Sequence, residues 1–263
     1  MNCLYSLLLL LVTACTAEII GRECIDSSAL CTIRKDDCML ETIKVVCPAT
    51  CGECSRTPIK DKVYNLTYFD LTIRSRGEQI RWILEQGDAK WIDTRVPIAA
   101  WGALKPKTLT GHLPYLEVEG RTIAESGAIA LYLGRELGLA GRDNWETAEV
   151  HMLWDMTQDA FNEIVNLAFV QDAVAKAAGL KKFHEQSLPF LLNFIATRLS
   201  SGQEWLVGNK LTLADIVVAH LYDFQVGKAK ELIKNSSLNA ALYDRVVALP
   251  KIKHWLDTRP PSP

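Results

Sequence analysis

Apolar and polar positions in the middle of the chain follow strand and helix periods in turn. Val63 to Phe69 alternates and is rich in β-forming residues, which predicts a strand, and Lys90 to Val96 predicts a second one. Between them lies a helical pattern. It opens at Ser75, with Glu78 placed for a capping box, and Gly87 is a natural stop. These elements predict a β-α-β unit.

A second group of elements follows in the same half of the chain. Tyr115 to Val118 and Arg121 to Ala124 predict a hairpin around Glu119 and Gly120, and a helix follows from about Ser126 to Leu137. The order β-α-β and then β-β-α is the thioredoxin-like arrangement.

The pattern after residue 141 is helical almost to the end. Thr212 and Asp215 have capping-box spacing, with Leu211 and Ile216 placed as a hydrophobic staple. The sequence therefore predicts an α+β fold with an all-α C-terminal domain.

The N-terminal residues 1–17 have a different composition. A short apolar run, Leu7 to Val12, precedes Cys15 and Ala17, which are small enough for cleavage before Glu18. This pattern predicts a secretory signal peptide. A bacterial lipoprotein signal ending at Cys15 is the less favoured interpretation, since it also requires basic residues at its start. Residues 1–17 contain no Lys or Arg.

The cysteines are confined to the first 54 residues. They stand at positions 3, 15, 24, 31, 38, 47, 51 and 54. Signal cleavage leaves six of them within about thirty residues, too few to bury a sufficient core unaided. Three disulfides would each stabilise such a module by roughly 2–4 kcal/mol. The spacing alone leaves 15 pairings open.

Composition excludes several function classes. The 263 residues are 49% hydrophobic with a net charge of −2, so the sequence shows no basic surface for nucleic acid or an anionic membrane, and no apolar run is long enough for a stable membrane span.

The predicted segments are a signal peptide (1–17), a disulfide module (23–54), a linker (55–61), a thioredoxin-like domain (62–139) and a helical domain (142–263).

The cysteine module resembles the ShK-toxin-like (ShKT) module of secreted animal proteins, in its cysteine order and in its ending Cys47-Pro-Ala-Thr-Cys51-Gly-Glu-Cys54. The resemblance implies the pairs Cys24–Cys54, Cys31–Cys47 and Cys38–Cys51. Channel-blocking members carry a Lys-Tyr dyad where this chain has Glu41 and Thr42. We therefore expect a docking or accessory module whose partner is unknown.

Five motifs stand in register along the second part of the chain: Leu66-Thr67-Tyr68-Phe69, Trp101-Gly-Ala-Leu-Lys105-Pro-Lys, Gly111-His112-Leu113-Pro114-Tyr115-Leu116, Glu125-Ser126-Gly127 and Gly208-Asn209-Lys210-Leu211-Thr212-Leu213-Ala214-Asp215. Through these motifs, residues 62–260 resemble a cytosolic-type glutathione transferase of the sigma class. The resemblance implies glutathione as co-substrate, no metal or other cofactor, and a homodimer.

The resemblance assigns Tyr68 as the hydroxyl donor to the glutathione sulfur and Arg76 as its electrostatic assistant. A free thiol has a pKa near 8.5 and is mostly neutral at physiological pH. Lowering that pKa by about two units requires roughly 2.7 kcal/mol of preferential stabilisation of the thiolate. The loop from Asp70 to Ser75 is about two residues longer than usual, so Arg74 is an alternative to Arg76.

The remaining glutathione contacts are also implied by the resemblance. Ser126 and the amides of its helix would receive the γ-glutamyl carboxylate, and Glu125 the amine. Leu113 would pair through its backbone beside a cis-Pro114. The other expected contacts are Trp101, Lys105, His112 and, from the partner subunit, Asp155.

The electrophile pocket is the least legible part of the sequence. Trp154, Phe161 and Phe169 are candidates for its wall, although a core position is favoured for each. The histidines at 151, 184, 220 and 254 make no metal-ligand pattern and are interpreted as structural or surface residues.

The main hypothesis is a secreted glutathione transferase acting on small hydrophobic electrophiles, with prostaglandin isomerisation as a variant. The alternative is a secreted, non-catalytic protein that binds glutathione or hydrophobic ligands. A third hypothesis gives the ShKT module the targeting role, with the transferase as cargo.

Overall fold

The computed structural model describes residues 62–71 and 75–260. The predicted signal peptide, the six-cysteine module with its three disulfides, the linker and Arg74 lie outside the described residues.

Strands come first and helices follow. The elements in chain order are β1 (Val63–Phe69), α1 (Arg76–Gln86), β2 (Lys90–Val96), α2 (Trp101–Leu104) between two 3-10 turns (Ile98–Ala100 and Lys105–Lys107), β3 (Tyr115–Val118), β4 (Arg121–Ala124), α3 (Ser126–Glu136), α4 (Asn144–Ala168), α5 (Ala173–Lys182), a π-helical turn (Phe183–Ser187), α6 (Leu188–Leu199), α7 (Leu213–Phe224), α8 (Gly227–Asn235), α9 (Ser237–Val247) and α10 (Pro250–Thr258). The predicted bounds of all four strands are confirmed.

The sheet has the order β2-β1-β3-β4. Strand β1 runs parallel to β2 and antiparallel to β3, so it lies in the interior of the sheet, and its side chains Tyr64, Leu66 and Tyr68 are buried. The β3–β4 turn places Glu119 and Gly120 at φ 49° and 74°. Two successive residues with positive φ match the twist of a tight hairpin, which confirms the predicted turn.

The helical domain is organised around α7, in which every residue from Leu213 to Tyr222 is buried. It packs against α4 and α9 and also against α1 of the first domain, so one apolar core spans both domains. Within the described part of the chain, no helix combines the length and apolar character of a membrane span.

One predicted capping box is confirmed. The buried Asp215 carboxylate accepts the backbone N–H of Thr212 and that of Leu206, both at 2.8 Å, so it closes the start of α7 and ties down the preceding loop. Burial raises the pKa of Asp215 to about 6, although these donors act to lower it.

The other predicted capping box is wrong. Ser75 is the N-cap of α1, but its side chain makes no capping bond. The Glu78 carboxylate instead pairs with Arg81 (3.2 Å) and accepts from Trp255 Nε1 (2.9 Å) and Arg259 Nη1 (2.7 Å). Arg81 and the Trp82 indole, which donates to Glu78 at 3.2 Å, lie on α1 itself. Because α10 packs against α1, it adds the Trp255 indole and the Arg259 guanidinium, and these bonds together replace the local cap.

This Glu78 cluster (Glu78, Arg81, Trp255 and Arg259) binds the C-terminal helix to the first domain. Burial by itself raises the pKa of the Glu78 carboxyl, but Arg81, Trp255 and Arg259 outweigh burial and lower it to about 2. The carboxylate is only 2% exposed, so its charge depends on these partners rather than on water.

Gly87 ends α1 as predicted, but the physical reason is space. Its φ is −77°, and the left-handed residue is the following Asp88 (φ 56°). A Cβ on Gly87 would lie 2.5 Å from Cδ1 of Leu137, so glycine allows α1 and the end of α3 to approach each other.

Two glycosylation sequons have different surroundings. Asn65, in the sequon Asn65-Leu66-Thr67, lies in β1, where its amide donates to Glu117 at 3.0 Å and accepts from Thr94 at 2.7 Å. Asn235, in the sequon Asn235-Ser236-Ser237, is exposed and is the last residue of α8.

Candidate active site

A cleft of about 1120 Å³ lies between the sheet domain and the helical domain. Six predicted site residues line it: Tyr68, Arg76, Trp101, Lys105, His112 and Leu113. They come from β1, α1, the α2 region and the loop before β3, so the fold gathers residues that span more than forty positions of the sequence.

Tyr68 lies near the end of central strand β1 and is 5% exposed. Its hydroxyl has no hydrogen-bond partner among the described residues. The oxygen is nevertheless not one of the fully buried, unpaired polar atoms of this part of the chain. The oxygen is therefore accessible from the cleft rather than sealed in the interior. The ring position depends on Gly77, where a Cβ would come within 2.4 Å of the Tyr68 ring.

Gly77 has a partial signal in the sequence. It follows Arg76 in the first turn of a predicted helix, and glycine is a poor helix former. The close approach of the Tyr68 ring explains its presence, and only the packing of α1 on β1 reveals it.

Arg76 is the first residue of α1 and its side chain extends to the helical domain. Its Nη2 donates to Oδ1 of Asn162 on α4 at 2.5 Å, and its Cζ lies 5.9 Å from the ring centre of Phe161. Asn162 was not singled out in the sequence, because nothing local marks a residue in the middle of a long helix as a contact of α1.

Trp101 and Lys105 are placed by the α2 region. The Trp101 ring packs edge-on against Phe69 with centroids 5.1 Å apart, which fixes it beside the end of β1. Lys105 is exposed at the cleft, and His112 is exposed on the loop before β3. These side chains give the cleft a cationic, hydrogen-bonding end.

The Leu113–Pro114 peptide bond is cis, as expected. Leu113 packs with Tyr68 and Val96 in a small separate core, and it lines the cleft. Pro114 is buried and does not contribute to the cleft wall.

Three other predicted residues also lie outside the cleft lining: Glu125, Ser126 and Asp155. Ser126 is buried and is the first residue of α3. The backbone amides of the first turn of α3, which have no partner within the helix, therefore begin at Ser126. Glu125 is exposed and has φ 68°, a conformation rare for a residue other than glycine and costing of order 1–3 kcal/mol. Asp155 is exposed on α4.

The helical domain forms the other end of the cleft, whose lining is mostly apolar and includes Ile164, Val165, Phe169 and Phe224. Five polar or charged residues also line this end: His184, Asp223, Gln225, Lys228 and Arg259. Phe169 is 74% exposed at the cleft, so the core position favoured for it is wrong. Trp154 and Phe161 are in the core, as favoured.

His184 is a further cleft residue whose role the sequence did not reveal. It lies in the π-helical turn after α5 and lines the cleft near Lys228. Burial and the Lys228 charge lower the pKa of His184 below its ordinary value, and Glu185 offsets part of this effect. The lowered pKa favours a neutral imidazole. Among residues 62–71 and 75–260, no three His, Cys, Asp or Glu side chains are grouped to hold a metal ion.

Comparison with known proteins identifies both domains. Residues 64–135 match the glutathione S-transferase N-terminal domain, and residues 158–259 match the C-terminal domain. Probable glutathione S-transferase 7 of Caenorhabditis elegans is 37% identical over 209 residues, which cover 76% of this chain and 98% of that protein.

Solved structures agree with this assignment. The prostaglandin synthase D of Nilaparvata lugens is 32% identical with a TM-score of 0.69, covering 75% of this chain and 98% of that one. A monomeric glutathione S-transferase of the hookworm Necator americanus is 29% identical with a TM-score of 0.66, covering 75% and 97%. The cleft, the two matched domains and these relatives together establish that the chain belongs to the glutathione S-transferase family.

Proposed function

We propose that this transferase is sigma-like and joins the glutathione thiolate to small hydrophobic electrophiles. The observation that carries the proposal is the two-ended cleft. An accessible Tyr68 hydroxyl and the Trp101–Lys105 pair lie at one end, and an apolar wall around Phe169 and Phe224 lies at the other.

The chemistry follows from these two ends. Glutathione loses its thiol proton to solvent, and the Tyr68 hydroxyl donates a hydrogen bond to the resulting thiolate, which stabilises the anion. The sulfur then attacks an electrophilic carbon held against the apolar wall. With an aryl halide a carbon–sulfur bond forms, the carbon–halogen bond breaks and halide leaves. The protein thus supplies positioning and electrostatic stabilisation.

Two measurements separate catalysis from binding alone. We expect the wild-type protein both to bind immobilised glutathione and to conjugate glutathione to 1-chloro-2,4-dinitrobenzene. Retention on the resin without turnover would favour the non-catalytic binding protein. Failure of both would overturn the proposal.

Lys105 and Lys107 provide a matched pair within this experiment. Both are exposed on the same short turn, but only Lys105 lines the cleft. We expect Lys105 to contact the glycine carboxylate of glutathione. Losing this one contact removes about 1–1.5 kcal/mol of binding free energy, so K105A should raise the KM for glutathione about tenfold with little change in kcat. K107A should behave like the wild type, and equal effects of the two would contradict the assigned contact.

A prostaglandin isomerase activity is a variant of the same proposal. It is supported by the likeness to a protein described as a prostaglandin synthase and by the apolar residues that line the cleft. It would use the same Tyr68-bound thiolate.

We also propose a homodimer in which Asp155 reaches the glutathione of the partner subunit. Support comes from the exposure of Asp155 on α4 and from its absence from the lining of its own cleft. Light scattering that gives the mass of a single chain would overturn this assembly.

Secretion is proposed from the sequence of residues 1–17 and the six following cysteines. After expression in animal cells we expect the protein in the medium, beginning at Glu18 and with six cysteines protected from alkylation. Cell-retained protein that keeps Met1 would contradict this proposal. Comparing surface binding of the secreted protein with and without residues 18–58 tests whether the module targets the enzyme.

A further inference from the structure

Arg76 differs from Arg81 and Arg259 in what holds its guanidinium group. Arg81 pairs with Glu78 and Asp93, and Arg259 pairs with Glu78. Among the described residues no carboxylate lies within ion-pair distance of Arg76, and its hydrogen-bond acceptor is the neutral amide oxygen of Asn162.

Both contacts of the Arg76 guanidinium come from the helical domain. The 2.5 Å bond and the Phe161 ring 5.9 Å from Cζ both come from α4, so the guanidinium is held from the helical domain while its helix belongs to the sheet domain. Arg76 and Tyr68 line the same cleft, and Gly77 links them by placing the Tyr68 ring against α1.

A neutral acceptor and a carboxylate would orient the guanidinium equally well but differ in electrostatics. A carboxylate neutralises the cation and removes most of its field at other groups. An amide oxygen leaves the full charge available. An unneutralised cation within about 4–6 Å of an acidic group lowers the pKa of that group by about 1–3 units.

We propose that Asn162 is a positioning residue for thiolate formation. It holds the Arg76 guanidinium at the cleft without neutralising it, so that the cation acts on the sulfur of bound glutathione. This inference rests on the proposed function. A purely structural reading makes the Arg76–Asn162 bond a tether between domains, and that reading predicts changes in stability alone.

The decisive substitution is N162D, because it keeps the size and the acceptor oxygen but adds the neutralising charge. The matched control is N166D, which adds the same charge one helical turn further along α4 at an exposed position that does not line the cleft. The measurements are the ultraviolet thiolate absorbance of bound glutathione against pH and the pH profile of kcat/KM.

We expect N162D to raise the apparent pKa of bound glutathione by about 1 unit and to lower kcat/KM about tenfold below that pKa, with the KM for glutathione changed less than about twofold. N166D should match the wild type. N162A, which frees Arg76 without neutralising it, should raise the pKa by about half as much, and it decides the matter if N162D does not fold.

Unshifted pKa values in N162D and N162A, with a normal thiolate in the wild type, would overturn this inference and leave the proposed function intact. Equal shifts in N162D and N166D would also overturn it, since the effect would then be general charge. A wild-type protein that never ionises bound glutathione would overturn the proposed function and this inference with it.

Discussion

Replacing Tyr68 by phenylalanine is expected to lower kcat/KM for aryl-halide conjugation about 100-fold at neutral pH. The substitution removes the hydroxyl that is accessible from the cleft and leaves the buried ring in place. Loss of roughly 2.7 kcal/mol of thiolate stabilisation corresponds to about two pKa units. The ultraviolet titration of bound glutathione should therefore move up by that amount, while the affinity for glutathione changes little.

Tyr64 is the matched control for this substitution. It lies in the same strand and is fully buried, but its hydroxyl faces Glu136 at 3.5 Å, away from the cleft. Y64F should retain activity within about twofold of the wild type. Full activity in Y68F, or an equal loss in Y64F, would contradict the role assigned to Tyr68.

Replacing Glu78 by alanine is expected to destabilise the protein by about 3–5 kcal/mol. The substitution leaves Arg81, Arg259 and the Trp255 indole N–H buried around a missing acceptor. Chemical denaturation measures the loss. The control is D257A, which breaks the exposed Lys253–Asp257 pair on α10 and should change stability by less than about 1 kcal/mol. Similar losses in both variants would contradict a special role for the Glu78 cluster.

The same carboxylate gives the protein a defined sensitivity to acid. Its pKa is about 2 in the folded chain against an ordinary value of 4.5, so the native state favours the ionised form. The stabilisation is complete above about pH 5 and is lost as pH falls toward 2, amounting to about 3 kcal/mol. E78Q should be less stable than the wild type at pH 7, and the difference should shrink across that window. A constant difference from pH 7 to pH 2 would contradict the lowered pKa.

Local sequence predicted the sheet domain well because its elements are short and strongly patterned. The strands, the Glu119–Gly120 turn and the cap at Thr212 depend on neighbours within a few residues, and all were predicted correctly. Ser75 and Glu78 have the same spacing as Thr212 and Asp215, yet only the second pair caps its helix. The difference lies in α10, nearly two hundred positions away, which brings stronger partners to Glu78.

The candidate site divides in the same way. The family motifs marked Tyr68, Trp101, Lys105 and Leu113 because each lies in a contiguous run beside β1 or β3. Residues contributed by the helical domain were missed or misplaced. Asn162 lies within α4, Phe169 directly follows α4, and His184 lies in the π-helical turn after α5. Their positions relative to the cleft depend on how the helical domain packs against the first domain.

The sequence by itself determined the order of strands and helices, the family and the side chains available at the end of the cleft that holds Tyr68, Trp101 and Lys105, because propensity, periodicity and short motifs act over a few residues. Only the tertiary structure decided which neutral or charged group each buried side chain contacts. Glu78 bonds to groups from α10 instead of capping the helix with Ser75, and Arg76 donates to the uncharged side chain of Asn162. The reason is that the free energy of a buried ion or hydrogen bond depends on groups brought together from distant parts of the chain.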